Sequence, residues 1–201
     1  MKRSLGAVLI VCLGLTICGL SAAEAQSSQI LRGEYTQQRT LKGLAKPFHS
    51  AGRFVLAGDR GLIWQALSPF AATTILTDAG ITQKMANPSP LKISAAQAPF
   101  LQNFRHVLRA SLSGQFDLLS GQFHVDKTVG DDGIWRAVLT PGDAVALPIT
   151  RLEITGRSGD VQSILLVRAN GDRDLIQLAK HERHGGPLSP DEAALLAASG
   201  G

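Results

Sequence analysis

The sequence predicts a mainly β fold with helices (α+β): one antiparallel sheet curved around a central amphipathic helix. Three observations predict it. Short runs of alternating apolar and polar residues recur along the chain, punctuated by Gly, Asp, Asn and Pro at turn spacings. Such runs stand on both sides of one helical apolar stripe that ends near Leu112. No linker of biased composition divides the chain into two units.

The first 25 residues stand outside the expected fold. Lys2 and Arg3 make a basic start, Leu5 to Leu20 is an apolar run broken only by small residues, and Ala23-Glu24-Ala25 is a small-x-small cleavage site. This is the pattern of a secretory signal peptide cut after Ala25. A membrane anchor would need roughly 20 apolar residues and a basic stop, and neither is present. A lipoprotein signal at Cys18 would need a small residue where Ile17 stands. Removing 25 of the 201 residues leaves 176, expected to form a single domain over 26–201. Cys12 and Cys18 both lie in the leader, so the exported chain is expected to fold on its apolar core without disulfides.

The elements follow in order. Ser27 to Leu31 reads as a short helix, and Arg32 to Arg39 as the first strand, centred on Tyr35-Thr36. Phe48 to Leu56 and Leu62 to Leu67 read as an antiparallel pair about Gly58-Asp59-Arg60-Gly61, followed by a strand at Thr73 to Thr77. Asn87-Pro88-Ser89-Pro90 breaks the chain. The central helix starts at Ser94 or near Ala98, with Pro99 in its first turn, and carries Phe100, Leu101, Phe104, Val107, Leu108 and Leu112 on one stripe. Two strands, Phe123 to Lys127 and Ile134 to Thr140, flank Asp131-Asp132-Gly133. Three more, Thr150 to Gly156, Val161 to Arg168 and Arg173 to Ala179, are joined by Arg157-Ser158-Gly159-Asp160 and Asn170-Gly171-Asp172. Ser189 caps a last short helix, with Pro190 at its first position and Asp191 and Glu192 in its first turn.

Chemistry is scarce. The leader carries +1 of the formal +4, leaving +3 with signs interspersed and no block of like charge that would mark a nucleic-acid binder. There is no Gly-x-Ser-x-Gly elbow, no phosphate-binding glycine loop and no dinucleotide glycine pattern. His181-Glu182-Arg183-His184 has the wrong spacing for a zinc-peptidase helix and reads as a polar loop. Asp131 and Asp132 belong to a hairpin turn, and Asn170-Gly171-Asp172 lacks the rest of a calcium loop. Neither catalytic residues nor metal ligands nor a cofactor are therefore expected. Trp64 and Trp135 are more informative. Each shares a strand face with apolar neighbours, Leu62 and Ala66 in one case, Ala137 and Leu139 in the other. Such rings are either core residues or the lining of an apolar cavity.

Several short segments resemble the LolA-like family of periplasmic outer-membrane lipoprotein carriers. They are Tyr35-Thr36-Gln37-Gln38, Gly52-Arg53-Phe54, Leu62-Ile63-Trp64, Ser68-Pro69 and Thr77-Asp78-Ala79-Gly80. The spacing of Leu41, Leu44, Pro47, Ser50 and Gly52 resembles a divergent branch of that family, as do Trp135 to Pro141 and Asn170-Gly171-Asp172. The resemblance covers most of residues 32–180. It implies an incomplete antiparallel β-barrel closed on one side by helices, with an apolar cavity between. Where the family usually places Arg-Pro before the Trp strand, this chain has Ala57-Gly58, and Ala79 interrupts its Asp-Gly. These departures leave the cargo open between lipoproteins and another lipid.

The expected site is the apolar lining itself: Phe54, Leu62, Trp64, Leu76, Trp135, Leu139 and Ile154 on the strands, with Phe104 and Leu108 on the helix. The resemblance implies a monomeric, non-enzymatic periplasmic carrier. Its cargo would be a lipidated protein or lipid, with inner- and outer-membrane proteins loading and receiving it. The rival expectation is an envelope assembly protein with the same fold and a filled core.

Overall fold

The computed structural model describes residues 30–85, 90–94, 96, 107, 109–110, 112, 115–119, 121–142, 149–184 and 187–200. Eleven strands among them form one sheet: β1 (Ile30–Thr40), β2 (Phe48–Ala57), β3 (Gly61–Ser68), β4 (Ala72–Thr77), β5 (Gly80–Met85), β6 (Leu91–Ser94), β7 (Phe123–Val129), β8 (Ile134–Pro141), β9 (Ile149–Arg157), β10 (Asp160–Arg168) and β11 (Arg173–His184). Their order is β6-β5-β4-β3-β2-β1-β11-β10-β9-β8-β7. Every neighbour except β1 and β11 is also a sequence neighbour, so the sheet is two meanders joined at the centre, where the first strand meets the last. β6 and β7 are its edges, and the sheet is open.

Turn chemistry builds the meanders. Gly61 sits at φ +141°, and a Cβ there would lie 2.4 Å from the Leu76 carbonyl oxygen on the neighbouring strand. Gly171, at φ +91°, closes the β10–β11 turn, where the Asn170 side chain accepts from the Asp172 N–H at 3.0 Å.

The alternation along each strand sorts side chains onto two faces. On the inner face, Leu31, Tyr35, Phe54, Leu56, Leu62, Leu76, Trp135, Leu139, Leu152, Ile154, Val161, Ile164 and Leu178 form one buried cluster. Val107, Ala110, Leu112, Phe116 and Leu119 join it from the segment between β6 and β7, and Phe123 from the start of β7. On the outer face, Ile30, Val55, Ala57, Ile63 and Ile75 form a smaller cluster closed by Leu196 of the C-terminal helix Pro190–Ala197.

Several expectations are corrected. Ile30 and Leu31 begin β1, where a helix was expected, because pairing with both β2 and β11 satisfies their backbone groups. His181 to His184 is not a loop. It continues β11 past a bulge opposite Arg32 and Glu34, with Lys180 at φ +52°. Gly80–Met85 and Leu91–Ser94 are two further strands, so Ser94 ends a strand instead of capping a helix. Of the central helix, Val107, Arg109, Ala110 and Leu112 are helical, while Phe104 and Leu108 lie outside the described residues. The last helix has the expected cap: the Ser189 hydroxyl accepts from the Glu192 N–H at 3.2 Å, and the Glu192 carboxylate accepts from the Ser189 N–H at 2.8 Å.

Candidate functional site

Seven of the expected lining residues fall on the inner face. Phe54, Leu62, Leu76, Trp135, Leu139 and Ile154 are all buried in one apolar cluster, and Trp64 packs against it half-buried. They come from five strands spread across the sheet, so strand alternation and sheet order together assemble them.

Glycines clear the space for the rings. A Cβ on Gly33 would lie 2.7 Å from the Phe54 ring, and one on Gly156 would lie 2.2 Å from the Trp135 ring. Each ring therefore lies across the bare backbone of the adjacent strand, an arrangement only glycine allows. The Trp135 indole N–H donates to the Ser158 carbonyl at 3.2 Å, which satisfies its one polar group. Phe116 meets Trp135 edge-on at 5.4 Å, and the Lys127 ammonium lies 5.6 Å from the Trp135 ring centre.

An aromatic stack marks the less covered part of the inner face. Tyr35 and Trp64 stack with ring centres 4.0 Å apart, and Phe54 follows at 5.8 Å from Trp64. Burial pushes the Tyr35 phenol above its ordinary pKa, and a hydrogen bond with the Trp64 side chain acts in the opposite direction. Tyr35 stands in the Tyr35-Thr36-Gln37-Gln38 segment and is not among the expected lining residues. Its alternation with Leu31 and Gly33 along β1 was the signal for it.

Beyond the stack the inner face turns polar. Asp174 is buried, and its Oδ1 accepts from Gln37 at 2.8 Å and from Arg39 at 2.6 Å. An Arg168 guanidinium nitrogen lies 2.8 Å from Oδ2, in ion-pair contact without hydrogen-bond alignment. The carboxylate is thus neutralised by two arginines, which suits a structural anchor joining β1, β10 and β11.

No group of three or more potential metal ligands occurs among the described residues. Two adjoining depressions of ≈ 440 and ≈ 560 Å³ open on the outer face, sharing Thr36, Ala51, Ser68 and Gln177. Their hydroxyls and amides offer no continuous apolar wall. The inner face does, but it is closed over by Leu112, Phe116 and Leu119. What the arrangement can do chemically is bury hydrocarbon.

A family model described as outer membrane lipoprotein carrier protein LolA-like matches residues 22–196. Three solved structures are similar to this chain. A LolA superfamily protein from Nitrosomonas europaea is 10% identical, with 82% of this chain and 89% of that chain covered and a TM-score of 0.43. A DUF1329 family protein from Desulfovibrio piger is 11% identical, covering 80% and 88%, with a TM-score of 0.44. A putative outer membrane lipoprotein-sorting protein domain from Vibrio parahaemolyticus is 9% identical, covering 85% and 92%, with a TM-score of 0.37. No curated protein matches the chain.

Proposed function

This chain belongs to the outer membrane lipoprotein carrier LolA-like family, and on that premise we propose that it shields the acyl chains of a lipoprotein or other lipidic cargo in transit towards an outer membrane. The observation that carries the reading is the inner face: one apolar cluster built from β1 to β4 and β7 to β11, edged by the half-buried Trp64 in its stack with Tyr35. Acyl chains bind through area, at about 0.8 kcal/mol per buried CH₂. A site of this kind needs no fixed polar group, which fits a wall whose buried side chains, among the described residues, are apolar apart from Asp174. Cargo must displace Leu112, Phe116 and Leu119, which cover the wall in this structure. The exchange replaces one set of apolar contacts by another, so its net cost is small compared with exposing either surface to water.

The compartment is the periplasm, reached with the leader 1–25, and the reading requires membrane proteins that load and receive the cargo. The protein acts by binding, not by catalysis. Protein isolated from the periplasm should begin at Gln26 and should carry lipid or a lipidated protein in native mass spectrometry. Isolation without any such adduct, together with no uptake of a fluorescent fatty acid, would refute the carrier reading. That result would favour a second reading: an envelope assembly protein working through its surface. The specific observation for it is the near-complete burial of Phe54, Leu139 and Ile154, the mark of a filled core.

A further inference from the structure

Seven large apolar side chains are exposed among the described residues, and six of them gather at one end of the sheet. They are Leu44, Phe48, Leu67, Phe70, Met85 and Leu91; the seventh, Val129, sits at the opposite end. Strand register places the six together. Phe48 pairs with Arg39 near the end of β1, Ala51 with Ser68, Ala72 with Met85, and Gln83 with Leu91. Phe70 is 82% exposed, in the short connection between β3 and β4. Phe48 and Met85 share the alternation of the inner face, and Leu67 that of the outer face, so the apolar groups flank both faces of the sheet end.

The charge at this end is one-sided. Lys42, Lys46, Lys84 and Lys92 stand among these residues, and none of their ammonium groups is in an ion pair with a described residue. No acidic residue occurs between Glu34 and Asp59, between Asp59 and Asp78, or between Asp78 and Asp117. The two nearby acids of the β10–β11 turn are engaged. Asp172 accepts from the Lys42 backbone N–H, and Asp174 is held by Arg39 and Arg168.

We infer that this end of the sheet is a membrane-docking rim that inserts its apolar side chains into the headgroup layer of an anionic bilayer. Apolar tips set among lysines are what such an interface recognises: the rings and aliphatic chains bury at the acyl boundary while the ammonium groups meet lipid phosphates. A second copy of the chain would bring lysine against lysine. A flat protein partner would meet only one of the two faces that carry the apolar groups. The docking requires neither an open inner face nor bound cargo.

The test is sedimentation with vesicles, using the protein in the form its own cell produces. Phosphatidylethanolamine vesicles containing phosphatidylglycerol should bind it, phosphatidylcholine vesicles much less, and added salt should weaken the binding. Leu67→Ser with Phe70→Ser should lower the bound fraction roughly tenfold. Lys42→Glu with Lys46→Glu should lower it several-fold on anionic vesicles only, and Val129→Ser should leave it unchanged. All the substituted side chains are exposed, and unchanged circular dichroism would confirm the fold. Absence of binding to the anionic vesicles overturns the proposal. So does undiminished binding by both double variants, which would leave the rim as a contact for a protein.

Discussion

Trp64 is the residue on which the reading of the inner face turns. It lies on the same strand face as Leu62, yet only Leu62 is fully buried; Trp64 keeps one side open and rests the other on Tyr35. On the carrier reading, a ring placed this way meets cargo first. We expect Trp64→Asp to fold, because its side chain retains access to solvent, and to lose at least tenfold in affinity for a fluorescent fatty acid by placing a charge on the apolar wall. Trp64→Phe should keep most of the affinity, and wild-type Trp fluorescence should change on titration with fatty acid. A folded Trp64→Asp protein with unchanged affinity would remove Trp64 from the site. Alternation along β3 already told which neighbours Trp64 joins. Its stack with Tyr35 was not legible, because the two residues meet only across β2.

At the scale of the element, the C-terminal helix shows how local signals and distant partners combine. Ser189, Pro190 and Glu192 write its start in the sequence. The capping box satisfies N–H groups that the first turn would otherwise leave unpaired. Glu192 does more: its two carboxylate oxygens receive Arg32 of β1 at 2.8 and 2.6 Å, fixing the helix against the outer face. Foremost through that hydrogen bond, Arg32 holds the Glu192 carboxyl below its usual range, against the opposing effect of burial. A carboxylate whose pKa is depressed on folding adds stability above its unfolded pKa, about 4.3, and loses it as the pH falls through the lower folded value. Glu192→Gln should therefore cost about 1–2 kcal/mol at neutral pH. In urea melts, the gap from wild type should close as the pH drops below about 4. A gap that persists unchanged in acid would show that the ion pair is not its source.

For the whole molecule, the decisive relation is between the sheet and the segment that covers its inner face. Leu112 is buried in the same cluster as Phe54 and Ile154, so cover and wall compete for the same contacts. If the cover yields to cargo, weakening it has two opposite effects. Leu112→Ala should lower unfolding free energy by about 2–5 kcal/mol, as buried leucine truncations do. It should also tighten fatty-acid binding, because less stability is spent on the covered state. Denaturant melts and probe titrations on the same variant check both. A variant that is destabilised and still binds no probe is the behaviour of a filled core.

Some of this protein follows from sequence alone. Most strands, the hairpin turns at Gly58–Gly61 and Asn170–Asp172, and the cap at Ser189 are local, because backbone dihedral preferences and period-two alternation act over a few residues. Alternation is equally local, and it places Leu62 with Trp64 on one face of β3 and Trp135 with Leu139 on one face of β8. Tertiary structure decided what depends on partners far away in the chain. β1 meets β11, which draws Ile30 and Leu31 into a strand and carries His181–His184 past a bulge instead of into a loop. Leu91–Ser94 alternates over only four residues, too short a run to mark a strand by itself, and is a strand because β5 presents unpaired backbone groups beside it. The burial of the inner wall belongs to the same class. Alternation places an apolar side chain on a face, but only packing across the molecule determines whether that face meets water, cargo or the protein's own Leu112.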